Sequence, residues 1–204
     1  MTEQDTPHIG AKASAALLII DMINDMEFED SEKLYPQAYE AAQHVQALKK
    51  TAKSAEVPVI YVNDNYGRWQ SDFRELVAHC KSDVKGRPIT EMIEPDEDDY
   101  FVLKPQFSAF FATPLDLLLD YLEVKTLIIT GVAGNMCIHF TANDAYMRDY
   151  KLLIPGDCTA SNSVEDNEHA LKLMSHVLKA DTSPSTSYDM KTILDEARTY
   201  YESN

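Results

Sequence analysis

Five short apolar runs punctuate this 204-residue chain, and the stretches between them carry apolar residues at helical spacing. The runs are Ala15–Ile20 (AALLII), Val57–Val62 (VPVIYV), Tyr100–Leu103 (YFVL), Thr126–Thr130 (TLIIT) and Lys151–Ile154 (KLLI). An unbroken apolar run of this length suits a strand covered on both faces, and parallel strands need helical crossovers to connect them. The rhythm therefore predicts an α/β protein. Its architecture is a three-layer, doubly wound fold with a mostly parallel sheet of about five to six strands flanked by helices.

Between the first two runs, Ala38, Ala41, Ala42, Val45 and Leu48 mark a helix from about Pro36 to Ala55, with Pro36 in its first turn. A polar segment rich in turn residues separates the second and third runs. Leu115–Leu122 reads as a helix with Thr113 as cap and Pro114 at its first position. Further helices are expected from about Asn135 to Asp149 and from Val164 to Leu178, with a last short strand near Lys179–Thr182. No repeat or linker divides the chain, so residues 1–204 form a single domain, with 1–13 and 200–204 loose. The acidic run Glu94–Asp99 lacks the glycine and ligand spacing of a calcium loop and reads as a solvated loop.

Composition excludes several function classes. A formal net charge of −16, with no local Lys/Arg stripe, repels nucleic acid and anionic lipid. No apolar stretch approaches the roughly 20 residues of a membrane helix, and the N-terminus lacks the apolar core of a signal peptide. Cys80, Cys137 and Cys158 have neither disulfide-framework nor zinc spacing, so they read as reduced thiols. These features predict a cytoplasmic protein.

In an open parallel sheet the binding crevice lies beyond the carboxyl ends of the strands. Residues at those ends are Asp21 after the first run, Asn63 and Asp64 after the second, Lys104 after the third, and the segment GVAGNMC ending at Cys137 after the fourth. A carboxylate, an ammonium and a thiol thus converge from three strands. A nearby lysine and a helix N-terminus both favour a thiolate. Gly131 and Gly134 permit a tight strand-to-helix turn, and Asn135 as N-cap places Cys137 in the first helical turn, where backbone N–H groups can receive an oxyanion. Asp21 is then the base that takes the thiol proton and later activates water. Each residue also has an ordinary structural reading: a turn cap for Asp21, a snorkelling lysine for Lys104, a core thiol for Cys137.

Cys158 also follows a strand but lacks a clear helix start. His139 lies about 200 degrees around a helix from Cys137, out of reach of the thiol, and the remaining histidines have no zinc-ligand spacing.

LLIIDMINDM (Leu17–Met26) resembles the LLxIDxQNDF opening signature of the isochorismatase-like cysteine hydrolases, a superfamily that includes nicotinamidase and N-carbamoylsarcosine amidohydrolase. VLKPQFSAFFATPLDLLL (Val102–Leu119) is similar to that family's K-x-x-x-S-A-F-x-x-T-x-L block, and GVAGNMCIHFTANDA (Gly131–Ala145) to its GVxTxxCVxxTAxDA block. In order and spacing the three blocks match, from about residue 15 to residue 160. The resemblance implies a catalytic triad of Asp21, Lys104 and Cys137. It also implies a cis peptide between Val132 and Ala133, an oxyanion hole from the N–H groups of Ala133 and Cys137, and a homo-oligomer, dimer or tetramer.

The chain departs from the signature at Ile23, Met26 and Gly134, where Gln, Phe and Thr are common, and none of these removes the triad. Nicotinamidases place an Asp and several His near Val62–Asp72 to hold a metal. Asp64 matches that Asp, but the residues after it supply no imidazole, so no metal or other cofactor is expected. Met26, Trp69, Phe107 and Phe110 are candidates to wall the pocket, and Asn24, Asn63 and Arg68 to anchor polar groups of the substrate. The favoured reading is hydrolysis of a small-molecule amide or related C–N bond through a Cys137 thioester. Ester or vinyl-ether hydrolysis on the same scaffold, and a non-catalytic thiol-sensing or binding protein, remain open alternatives.

Overall fold

Each apolar run forms a strand. The computed structural model describes residues 13–65 and 72–202. The strands are β1 (Ala15–Ile20), β2 (Val59–Asp64), β3 (Tyr100–Lys104), β4 (Thr126–Val132), β5 (Lys151–Leu153) and β6 (Thr159–Ala160). They pair in the order β3-β2-β1-β4-β5, with the short β6 also on β4, and every pairing is parallel. Helices α1 (Ser31–Ser54), α2 (Phe73–Cys80), α3 (Arg87–Met92) and α7 (Met190–Glu202) cover one face. The other is covered by α4 (Leu115–Tyr121), α5 (His139–Tyr146) and α6 (Val164–Leu178).

The central strand shows why the runs are unbroken. Ala15, Leu17 and Ile19 of β1 enter one core, while Ala16, Leu18 and Ile20 enter the other. Each large side chain so buried contributes about 1.5–3 kcal/mol. A polar residue on either face of this strand would be stranded without a partner.

β1 lies between β2 and β4, so the chain leaves it on one side and later returns on the other. That reversal opens a crevice at the carboxyl ends of β1 and β4. Gly131 permits the close approach: its φ is +118°, and a Cβ there would lie 2.0 Å from the Ile20 carbonyl oxygen.

Several expectations need correction. The first helix begins at Ser31, so Pro36 lies inside it. The extra turn buries Ser31 and Leu34, and that packing offsets the hydrogen bond Pro36 cannot donate. The polar stretch between β2 and β3 contains α2 and α3, whose short lengths leave too few apolar positions for a legible period. Near Lys179–Thr182 there is a single bridge between Leu153 and Asp181 in place of a strand. Residues 200–202 belong to α7, and Ala13 is buried with its N–H donating to the Leu122 carbonyl at 3.0 Å; the rest of 1–13 and 200–204 lies outside the described residues. The acidic loop clamps onto α1: Asp99 accepts from Lys49 at 2.8 Å and from Lys53 at 2.9 Å, and Asp96 lies 3.1 Å from both lysines.

Candidate active site

Three strand ends build the site. Asp21 follows β1 in the left-handed region (φ 53°), which Asp tolerates better than most residues, and its N–H donates to the Val62 carbonyl at 2.8 Å. This turn swings the carboxyl across the end of β2, where Oδ1 accepts from the Asp64 N–H at 2.8 Å. Lys104 is the last residue of β3, and its carbonyl accepts from the Asn65 N–H at 3.0 Å. β4 ends at Val132, the Val132–Ala133 peptide is cis, and a π turn over Gly134–Ile138 carries Cys137. Ala133 and not Asn135 is the cap, with the Ile138 N–H closing the wide turn on the Ala133 carbonyl at 3.2 Å.

Lys104 connects the other two side chains. Its Nζ lies 2.8 Å from Asp21 Oδ2 and donates to Cys137 Sγ at 3.4 Å and to the Gln106 carbonyl at 3.2 Å. The lysine is 0% exposed and Asp21 8% exposed. A fully buried lysine occurs almost only when paired.

Burial raises the Asp21 pKa above the ordinary carboxylate value, against the opposing pull of Lys104 and of hydrogen bonds from Cys137, Lys104 and the Asp64 N–H. Burial works against the Lys104 charge, but Asp21 and Cys137 outweigh it and hold the ammonium pKa above its usual value. Burial first, and then the negative charge of Asp21, push the Cys137 thiol up to about 12, although Lys104 opposes them. The lysine therefore favours the thiolate, as expected, but burial and the Asp21 charge outweigh it. A thiol held this high keeps its proton at neutral pH, with the Asp21 carboxyl group beside it.

A second layer of contacts locks the strand ends together. Ser108 Oγ donates to Asp144 Oδ2 on α5, and the Ala109 N–H donates to Thr141 Oγ1 on the same helix at 3.0 Å. Thr113 Oγ1 donates to the Ala109 carbonyl at 2.5 Å and accepts from the Leu115 N–H at 3.2 Å. The segment after Lys104 is thereby fastened to the helix that follows Cys137.

The remaining candidates disperse. Asn24 turns back to accept from the Met26 N–H at 2.7 Å, and Met26 is buried in the core. Asn63 is buried at the end of β2, its Nδ2 donating to the Ile23 carbonyl at 2.9 Å, while its Oδ1 has no partner among the described residues. Phe110 packs in the core beneath the Arg148 guanidinium, 4.7 Å from its ring centroid. Phe107 is 43% exposed and lies against Phe140. Arg68 and Trp69 lie outside the described residues. Cys80 and Cys158 are fully buried and take no part.

The sequence reading missed Ser161 and Asn167, whose side chains hold the π turn. Ser161 follows β6, so the strand-end rule would have selected it had a two-residue strand been legible.

Residues 15–183 match the isochorismatase domain. The chain belongs to the isochorismatase family. It is 48% identical to the isochorismatase family protein YaaI of Bacillus subtilis over 84% of this chain and 94% of that protein. An isochorismatase-like hydrolase from Alkaliphilus metalliredigens shares the fold with a TM-score of 0.70 and 26% identity, over 86% of this chain and 97% of the other. A stretch of 71 residues is 35% identical to ureidoacrylate amidohydrolase RutB of Methylorubrum extorquens, covering 35% of this chain and 29% of that protein. This protein is accordingly an isochorismatase-family hydrolase.

Proposed function

We propose that this isochorismatase-family protein is a cysteine amidohydrolase that cleaves a small-molecule amide or related C–N bond through a thioester on Cys137. The observation that carries this reading is the buried Lys104 ammonium, 2.8 Å from the Asp21 carboxylate and 3.4 Å from the Cys137 sulfur. Three convergent polar groups are costly to bury and gain their value from chemistry.

In this mechanism Asp21 takes the thiol proton as Sγ adds to the substrate carbonyl carbon. The raised pKa of Asp21 suits it to that role, because a base near the operating pH transfers protons best. The N–H groups of Ala133 and Cys137 receive the tetrahedral oxyanion, and each such donor contributes about 2.7–4 kcal/mol in a dry site. Protonated Asp21 returns the proton to the nitrogen leaving group, the C–N bond breaks, and a thioester remains. Asp21 then takes a proton from water, whose oxygen attacks the thioester carbonyl, and the regenerated thiolate recovers that proton. Lys104 keeps the carboxylate and the sulfur in register throughout. Similarity to an amidohydrolase over part of the chain supports a C–N bond as the target.

The test is ammonia or amine release from a panel of small primary amides, ureas and N-carbamoyl compounds, by the native protein and by Cys137→Ala. Release lost in the variant is the expected result. Release that persists without the sulfur, or alcohol release from esters with no amide turned over, would defeat the proposal. We further read the protein as a homo-oligomer, a reading supported by large apolar side chains left bare on this chain, among them Leu117 and Met147 at 74% and 70% exposed. Light scattering of the purified protein checks that reading, and a monomer would refute it.

A further inference from the structure

The π turn that carries Cys137 is held from outside by a polar cluster on β6, the segment after it, and α6. The Asn135 N–H, two residues before the nucleophile, donates to Ser161 Oγ at 3.2 Å. Ser161 in turn donates to Asn167 Oδ1 at 3.2 Å. Asn167 spends its two amide protons on Thr159, reaching the carbonyl at 3.2 Å and the hydroxyl at 3.3 Å. Ser161 is fully buried and Asn167 nearly so. Every polar atom in this chain of bonds has a partner, the condition under which a buried network rigidifies a structure.

Gly134, the first residue of the turn, explains how Asn167 reaches this position. A Cβ at 134 would lie 2.1 Å from Asn167 Oδ1 and 3.1 Å from Ser161 Oγ. The space a side chain would fill is occupied by the Asn167 amide, so the glycine and the asparagine are complementary.

We propose that Ser161 and Asn167 are positioning residues for the nucleophile, pinning the π turn so that Cys137 meets Asp21 and Lys104, and that Gly134 is glycine in order to admit the Asn167 amide. This inference rests on the reading of Cys137 as nucleophile. Neither residue touches the sulfur. They act through the Asn135 N–H and the backbone of the turn. When the turn loosens, Cys137 separates from Asp21 and becomes hydrated, and its thiol ionises nearer the ordinary value for cysteine.

The experiment follows alkylation of Cys137 by iodoacetamide between pH 6 and 10 in the full-length protein, read by mass spectrometry, alongside turnover and thermal unfolding. Cys80 and Cys158 are fully buried, and Cys137→Ala gives the background. The variants are Asn167→Ala, Ser161→Ala, Gly134→Ala and the double variant Gly134→Ala/Asn167→Ala. The expected result for Asn167→Ala and Ser161→Ala is alkylation at pH 8 at least threefold faster, with kcat at least tenfold lower and KM little changed. Gly134→Ala should match Asn167→Ala, because its Cβ expels the amide, and the double variant should be no worse than either single one.

A lowered melting temperature with the alkylation profile unchanged would reduce these residues to structural ones and overturn the proposal, as would multiplicative effects in the double variant. The alkylation readout needs no substrate. If the native protein turns over no amide, the proposed function fails while positioning is still measured.

Discussion

Replacing Lys104 with Met removes a charge and leaves the chain length nearly intact. Its ammonium lies 2.8 Å from Asp21 Oδ2. Two unit charges at that separation attract by about 6 kcal/mol at an effective dielectric constant of about 20. Desolvation of both groups offsets part of this, and breaking a buried pair from one side costs about 3–5 kcal/mol because the other charge remains. In a chain of this size each kcal/mol moves the melting temperature by roughly 2–4 °C, so the variant should melt roughly 6–20 °C lower at neutral pH.

The loss should depend on pH with a definite sign. Burial already raises the Asp21 pKa, and without Lys104 it rises further. A carboxyl whose folded pKa lies above its unfolded pKa destabilises the fold once it is ionised. The deficit of Lys104→Met is therefore full above the raised Asp21 pKa and shrinks as the pH falls through it. Urea unfolding at pH 5, 7 and 8 measures it, with Asp21→Asn/Lys104→Met as control, since removing both charges should restore most of the stability. A neutral-pH loss below about 1 kcal/mol, or a double variant less stable than Lys104→Met, would refute the reasoning.

Asp21→Asn should separate thiol reactivity from turnover. Removing the negative charge that helps hold Cys137 near 12 should speed its alkylation at pH 8, while loss of the base lowers kcat by about 10²–10⁴. Alkylation that slows in parallel with turnover would contradict the assigned role. The acid limb of kcat/KM in the native protein should lie above the ordinary carboxylate range, because Asp21 must be ionised to act and its pKa is raised. A pH–rate profile still flat at pH 4 would argue against Asp21 as base. Gly131→Ala meets both a positive φ and an Ile20 carbonyl oxygen 2.0 Å away, so it should lose at least about 2 kcal/mol in chemical unfolding, and a neutral effect would mean the strand ends can separate.

The sheet was legible because strands buried on both faces demand unbroken apolar runs, and five such runs stood out from the periodic segments between them. The strand-end rule then selected Asp21, Lys104 and Cys137 before any distance was known. What it selected was a set of positions; it carried no information on which side chains reach one another. Asn24, Met26 and Phe110 obey local patterns as well, yet they are spent on a turn, the core and a cation contact.

The helices α2 and α3 and the two-residue β6 were illegible because elements that short show little periodicity and are held by packing. The high proton affinity of Cys137 was illegible for a related reason. The strand-end rule brought a helix terminus and a lysine to the thiol, both favouring the thiolate, whereas the burial that outweighs them exists only once the strands pack. The residues by themselves determined the fold class, the family and the three chemical groups of the site. Only the tertiary structure decided their distances and proton affinities, and the Ser161–Asn167 brace, because those depend on solvent exclusion and on contacts between elements far apart in the chain.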